Sequence, residues 1–371
     1  MKCKLSDICV FRKGKVDVSK LTLKTYISTE NMLPNKGGIT EASSLPAIQL
    51  TQEYKKGDVL VSNIRPYFKK IWRAKYDGGC SNDVLVFQGN SNIDGDFLYY
   101  VLANDDFFAY SMATSKGTKM PRGDKTSIMQ YEVTKFDKDT KKRIARILRS
   151  LDDKIELNIM INNNLEQQAQ AIFKSWFIDF EPFSNRKPND WSISTLGNVS
   201  IMGAGGDKPQ NVSPIKTDLY EYPIYSNGLS DEGLYGFTDK PKISEESVTV
   251  SARGTIGFVC LRHIPYVPIV RLVTLIPKTE IISAKYLYLW LKQLHITGTG
   301  TTQQQLTVPD FQKTEILVPS QEIVTLFTAT VEPIFEKIWA NQNENEKLSS
   351  LRDTLLPKLM SSELDVSKID I

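Results

Sequence analysis

Between residues 63 and 76 the chain reads NIRPYFKKIWRAKY, where Arg65, Lys69, Lys70, Arg73 and Lys75 are interleaved with Tyr67, Phe68, Trp72 and Tyr76 and no acidic residue intervenes. Five cations in eleven positions answer phosphates, arginine can also meet the acceptor edge of guanine, and aromatic rings lie among them, so the stretch suits nucleic acid. Taken as a strand from Lys70, it sends Trp72, Ala74 and Tyr76 to one face and Arg73 and Lys75 to the other. A solvated strand face is the plainer reading, and for any single lysine it suffices. The segment SKGTKMPRGDK (115–125) adds a basic loop with Lys116, Lys119, Arg122 and Lys125. Its glycines lack the GxxxxGK[ST] spacing of a phosphate-binding loop.

The second half of the chain is furnished differently, with YPIYSNGLSDEG (222–233), SARGTIG (251–257) and TGTGTTQQQLTV (297–308). Asn227, Arg253, Arg271, Gln303, Gln304 and Gln305 are residue types that contact purine edges, and glycine-rich loops let backbone N–H groups approach phosphate. Thr255 shares the loop of Arg253 and is a candidate DNA contact with it. Taken singly, each of these loops also reads as a turn or an exposed polar run. Catalytic signatures are missing: no GxSxG elbow, HExxH, Walker motif, dinucleotide fingerprint or [DNS]PP[YFW] is present. Asp105/Asp106 and Asp152/Asp153 sit beside helical apolar patterns and read as solvated carboxylates. With no CxxC pair among Cys3, Cys9, Cys80 and Cys260, and only His263 and His295 as imidazoles, neither a disulfide framework nor a metal site is expected. His263 reads as a surface or strand residue.

These loops need elements to position them. Stepping by alternating fours and threes from Ile144 meets Leu148, Leu151, Ile155, Asn158, Asn162, Leu165, Ala169, Ile172 and Trp176, which is a coiled-coil seam with two asparagines in its middle. Moving 183 positions on gives Phe327, Val331, Ile334, Ile338, Asn341, Asn345, Leu348, Arg352, Leu355 and Leu359. The flanks repeat too: FLYYVL (97–102) returns as YLYLWL (286–291), and LSDICVFRKG from Leu5 has a weaker echo in LGNVSIMGAG from Leu196. So long a period marks a duplicated unit of head plus helix, because stacked solenoid repeats run to roughly 20 to 50 residues. Two such helices can bury their stripes against each other, saving about 1.5 to 3 kcal/mol for each large side chain. Antiparallel pairing would set Asn158 opposite Asn345 and Asn162 opposite Asn341, where buried amides fix one register.

The expected fold class is α+β, with two mixed, strand-rich heads, pseudo-two-fold duplicated, and two long helices packed as an antiparallel coiled coil. The expected boundaries are a first head over 1–137, a helix over 138–180, a Pro/Asn-rich linker over 181–190, a second head over 191–319, a helix over 320–361 and a tail over 362–371. Each head should hold one short helix, at 96–110 and 283–295. Pro333 and Pro357 should kink or restart the second long helix. The net charge of +3 is too small to imply nucleic acid from the total alone. No run of eighteen apolar residues occurs and MKCKLSDICVFRKGK lacks a signal-peptide core, so a cytoplasmic protein is expected.

From RILRSLDDKIELNIMINNNLEQQAQAIFKSWFIDFEPF (146–183), SARGTIG, TGTGTTQQQLTV and the C-terminal PIFEKIW…LSSLRDTLLPKLMSSEL, the whole chain resembles the DNA-specificity subunit of a type I restriction-modification system. The resemblance implies that each head is a target-recognition domain for one half of a split double-stranded DNA site, with the helices as spacer. It implies two modification (methyltransferase) subunits as partners, which use S-adenosylmethionine, and restriction subunits that supply ATP-dependent translocation and cleavage. It also implies no catalysis and no cofactor in this chain. SNIRPYFKKIWRA in the first head departs from the SARGTIG form of the second. Two competing readings are a self-sufficient DNA methyltransferase or nuclease with an unrecognised motif, which would bind cofactor alone, and a coiled-coil adaptor with no DNA role.

Overall fold

The apolar run in Val59–Ser62 becomes a strand buried on both faces, and Ser247–Val250 is buried on both faces although Ser and Thr alternate with Val in it. In the first head of this computed structural model, which describes residues 1–91, 93–298 and 305–366, four antiparallel strands lie in the order Cys9–Phe11, Val84–Gly89, Val59–Ser62 and Ile71–Arg73. The second head repeats that order with Ser200–Ala204, Val273–Pro277, Ser247–Val250 and Val259–Arg262. Both heads close at the base with an antiparallel pair, Lys2–Lys4 with Glu132–Thr134 and Ser192–Thr195 with Glu315–Val318. A further sheet completes each head: Lys15–Asp17, Leu50–Tyr54, Gly78–Cys80 and Tyr26–Ile27 in the first, and Leu234–Thr238, Tyr222–Tyr225 and Val267–Pro268 in the second. The duplication seen in the long helices therefore extends through the heads.

The single helix expected at 96–110 is two, Gly95–Ala103 and Asp105–Ala113. Asn104 between them is extended, and its side chain accepts the Asp106 N–H, capping the second helix and ending the first. The second head has one, Ala284–Gln293, capped by Ser283. The second residue of each head helix reaches the following long helix with opposite polarity. Asp96 lies 4.0 Å from Arg149, and Lys285 lies 3.0 Å from Glu332.

Both long helices, Lys138–Phe177 and Gln321–Met360, run for 40 residues. The chain divides into two compact units, 1–159 with the segment from 342 onward, and 160–341, so each unit holds one head and part of both helices. In the first, Ile144, Ala145 and Leu148 pack with Leu356, Leu359 and Met360 against the short head helices. Asn158, only 1% exposed, donates from Nδ2 to Asn345 Oδ1 at 2.9 Å and to Glu344 at 2.8 Å. In the second unit Phe173 and Phe177 pack on Phe327, Tyr286 and Trp191. Here Asn341, also 1% exposed, donates to Asn162 Oδ1 at 2.7 Å, and Asn162 donates to the Ile338 carbonyl at 3.2 Å. Within each unit the two helical segments are antiparallel.

Two expectations need correcting. Pro333 and Pro357 do not restart the second long helix, which continues unbroken from Gln321 to Met360. A proline inside a helix costs about 3 kcal/mol, and the core residues on either side of Pro333, the buried Val331 and Phe335, hold the helix against that cost. Asp152 is not a merely solvated carboxylate: it accepts from Tyr100 Oη at 2.6 Å and from Arg352 at 2.8 Å, joining the head helix to both long helices. Arg352 is the charged exception in the apolar seam, and Asp152 is its reason. Replacing Asn158 and Asn345 together with leucine should raise stability by about 1–2 kcal/mol through added apolar burial while freeing the register. Thermal midpoint and cysteine crosslinking between the helices check this: a higher midpoint with more than one crosslinked register is expected, and a single register would remove the role assigned to the amides.

Candidate nucleic-acid interface

In the first head the loop between Val59–Ser62 and Ile71–Arg73 is shaped by two non-glycine residues with left-handed backbone, Arg65 (φ 52°) and Lys69 (φ 50°), on either side of the turn Pro66–Phe68. That turn leaves Tyr67 49% exposed, its ring 4.6 Å from that of Phe68. The 115–125 loop is stitched alongside. Arg65 N–H donates to the Pro121 carbonyl at 2.8 Å, Gly123 N–H donates to the Asn63 carbonyl at 3.1 Å, and Lys116 and Arg122 exchange backbone hydrogen bonds at 2.9 Å. Arg65, Tyr67, Lys116 and Arg122 thus come from two sequence-distant loops joined into one tip, and Lys119 stands exposed on the second loop.

The basic stripe does not stay together. Arg122 contacts Asp83 at 2.8 Å, and Lys116 contacts Asp124 at 2.5 Å. Lys116, with the Ser127 N–H, holds the Asp124 carboxyl down at about 2. Lys69 meets Asp105 at 2.8 Å, and Lys36 meets the same carboxylate at 2.9 Å. Lys70 donates to the Thr29 carbonyl at 2.6 Å, and burial lowers its pKa. Arg73 pairs with Asp96 at 2.9 Å, and Lys75 pairs with Glu156 of the long helix. Arg73 and Lys75 therefore face carboxylates of their own chain.

The second head builds the same tip from other residues. Ser251 N–H donates to the Phe258 carbonyl at 2.9 Å, as Ser62 N–H does to that of Lys70 at 3.0 Å, and Leu306 N–H donates to the Ala252 carbonyl at 3.0 Å, as Gly123 does to that of Asn63. SNIR (62–65) and SARG (251–254) are therefore equivalent, and Arg65 occupies the left-handed position that Gly254 (φ 70°) takes. This accounts for the sequence departure in the first head: the arginine has moved one place along the same loop. Arg253 donates to Gln305 Oε1 at 2.8 Å. Arg271 is exposed, at φ 62°, beside Val270 at φ 52°. A groove brings Arg253 and Arg271 together with Lys208 and Tyr235, two residues the sequence reading passed over because each stands alone in its segment. Asn227 is held at both ends by backbone, donating to the Val270 carbonyl and accepting from the Ala252 N–H, each at 2.7 Å. Thr255 Oγ1 is buried with no hydrogen bond among the described residues. Gln303 and Gln304 lie outside the described residues.

Chemistry of other kinds finds little footing. Burial pushes the thiols of Cys9, Cys80 and Cys260 up to about 12, so they are not nucleophiles at neutral pH. The His263 ring stacks on Trp339 at 4.1 Å, and that cover, with Lys285 and Arg262 nearby, pushes it down to about 4. Among the described residues no group of His, Cys, Asp or Glu could hold a metal, and no helix is long and apolar enough to cross a membrane.

A family profile described as "Type I restriction modification DNA specificity domain" matches residues 1–167 and 188–349, one match per half of the duplication. The chain belongs to that family. As a type I specificity subunit it is similar to the HindI specificity subunit of Haemophilus influenzae, 28% identical across 97% of this chain and 98% of that protein. It is also similar to the MjaIX specificity subunit of Methanocaldococcus jannaschii, 26% identical across 85% and 79%. The crystal structure of a type I S subunit from M. genitalium shares the fold of this specificity subunit, with a TM-score of 0.58 over 99% of this chain and 96% of that one at 17% identity.

Proposed function

We propose that this specificity subunit reads a bipartite double-stranded DNA site, one half with each head, and that the paired long helices set the unread gap between the halves. The recurrence of one stitched two-loop tip in both heads, with different side chains on it, is the observation that carries this reading. In the first head Arg65, Tyr67, Lys116, Lys119 and Arg122 face DNA, and in the second Arg253 and Arg271 do. Two modification subunits assemble on the scaffold and bring S-adenosylmethionine with them, restriction subunits add cleavage, and the complex works in the cytoplasm. This chain contributes recognition and no chemical step.

The asparagine register gives the test its design. Gln168 lies opposite Phe335 when Asn162 faces Asn341, so four residues inserted after Gln168 need four more after Phe335 to keep the seams in phase. That lengthens both helices by about 6 Å, or roughly two base pairs at 3.4 Å each. Sequencing the methylated positions in DNA from cells expressing the complex should show both half-motifs unchanged and the gap longer. A lengthened chain that assembles and methylates with the original gap would sink the spacer assignment.

A further inference from the structure

Val270 and Arg271 are consecutive non-glycine residues in left-handed backbone, and a β-branched residue there is an outlier that persists only when its surroundings enforce it. Three contacts enforce it here. Val270 N–H donates to the Gly206 carbonyl and Arg271 N–H to that of Gly205, each at 2.8 Å. Gly205 allows this approach because a Cβ would lie 2.7 Å from Ile269 backbone atoms. The third contact comes from a side chain, Asn227 Nδ2 donating to the Val270 carbonyl at 2.7 Å.

The other end of the same amide accepts the Ala252 N–H at 2.7 Å, one residue before Arg253. One planar side chain therefore ties together the two loops that bring Arg253 and Arg271 to a common groove, with Tyr235, 50% exposed, and Lys208 on its wall. Building on the proposal that the second head reads one half-site, we infer that Asn227 is a positioning residue, setting the separation of two arginines that address adjacent base edges. Tyr235 and Lys208 complete the DNA-facing wall. Bidentate arginine contacts demand such fixed geometry, since discrimination at a base edge depends on both N–H groups aligning. With one N–H and one lone pair of its amide committed to backbone, Asn227 acts here through the two loops it ties together.

The test uses the full chain assembled with its modification subunits. Asn227→Asp is isosteric and keeps the acceptor for Ala252 but turns an oxygen toward the Val270 carbonyl; Asn227→Ala removes both contacts. In competition binding with single-base variants of the methylated motif, both should lower discrimination at one or two positions of the second half about tenfold, within the roughly 5- to 150-fold range of a base-reading arginine. The first half and the salt slope should not move. Lys208→Ala should instead weaken binding to all sequences alike and reduce the salt slope by about one. If both Asn227 variants discriminate as the parent does, the clamp falls while the bipartite reading stands. A parallel loss over both halves with a lower thermal midpoint would reduce Asn227 to a folding residue. A parent complex that methylates no bipartite motif would overturn the underlying reading, and this inference with it.

Discussion

Replacing residues 191–318 by the corresponding head of another type I specificity subunit is expected to exchange one half of the methylated motif outright and leave the other half intact. The cut points favour such a graft, because the strands Ser192–Thr195 and Glu315–Val318 pair with Ser192 opposite Val318, so the incoming head enters and leaves through one two-stranded ribbon. Its demand on the host is also local. Tyr286 and Trp191 must meet Phe173, Phe177 and Phe327 of the long helices, a cluster built by apolar contact. Methylation mapping of the chimera decides the matter. A change in both halves, from a complex that still assembles, would show that the heads do not read independently.

The largest loss of stability is expected from Arg352→Ala. The change strands Asp152, which is partly buried and receives the Tyr100 hydroxyl, without its guanidinium; removing one member of such a pair costs about 3 to 5 kcal/mol when the other stays charged. Both side chains keep about a fifth of their exposure, so the lower end, about 3 kcal/mol, is the expected figure. Arg352→Met with Asp152→Leu should recover part of it, since two apolar side chains of similar volume leave no charge unpaired while the Tyr100 hydroxyl loses its acceptor. Denaturation midpoints of the two single variants and the double variant measure the coupling. If the double variant is no more stable than Arg352→Ala, the pair is not what fastens the head helix to the long ones.

Periodic features were legible in the sequence. The seam residues, the paired asparagines and the duplicated FLYYVL and YLYLWL helices declare themselves through spacing, because a helix repeats every 3.6 residues and a duplication repeats its offset. What depends on partners far away in the chain was not legible. The break at Asn104 comes from a side-chain cap, the continuity through Pro333 from packing of Val331 and Phe335, and the fate of Arg73 and Lys75 from Asp96 and Glu156, which stand on other elements. The equivalence of the 115–125 and 297–308 loops was within reach, since their offset is close to that of the long helices. Judged by composition, a lysine-rich loop and a glutamine-rich one look unrelated; judged by offset along the chain, they correspond.

The opposite polarity of the two head-to-helix ion pairs bears on whether the two heads could exchange places. Asp96 faces Arg149, and Lys285 faces Glu332. Moving the second head into the first place would bring Lys285, only 5% exposed at its side chain, up to Arg149, and the reverse move would set Asp96 against Glu332. Each rearrangement replaces an attraction with a repulsion, moderated by the partners that travel with each head, Arg73 with Asp96 and Glu246 with Lys285. The pairs are expected to work as an address within this protein, where exchange between the two slots carries a charge mismatch that a matching change in the long helix removes. The order of the two heads is thereby inscribed where each packs on its long helix.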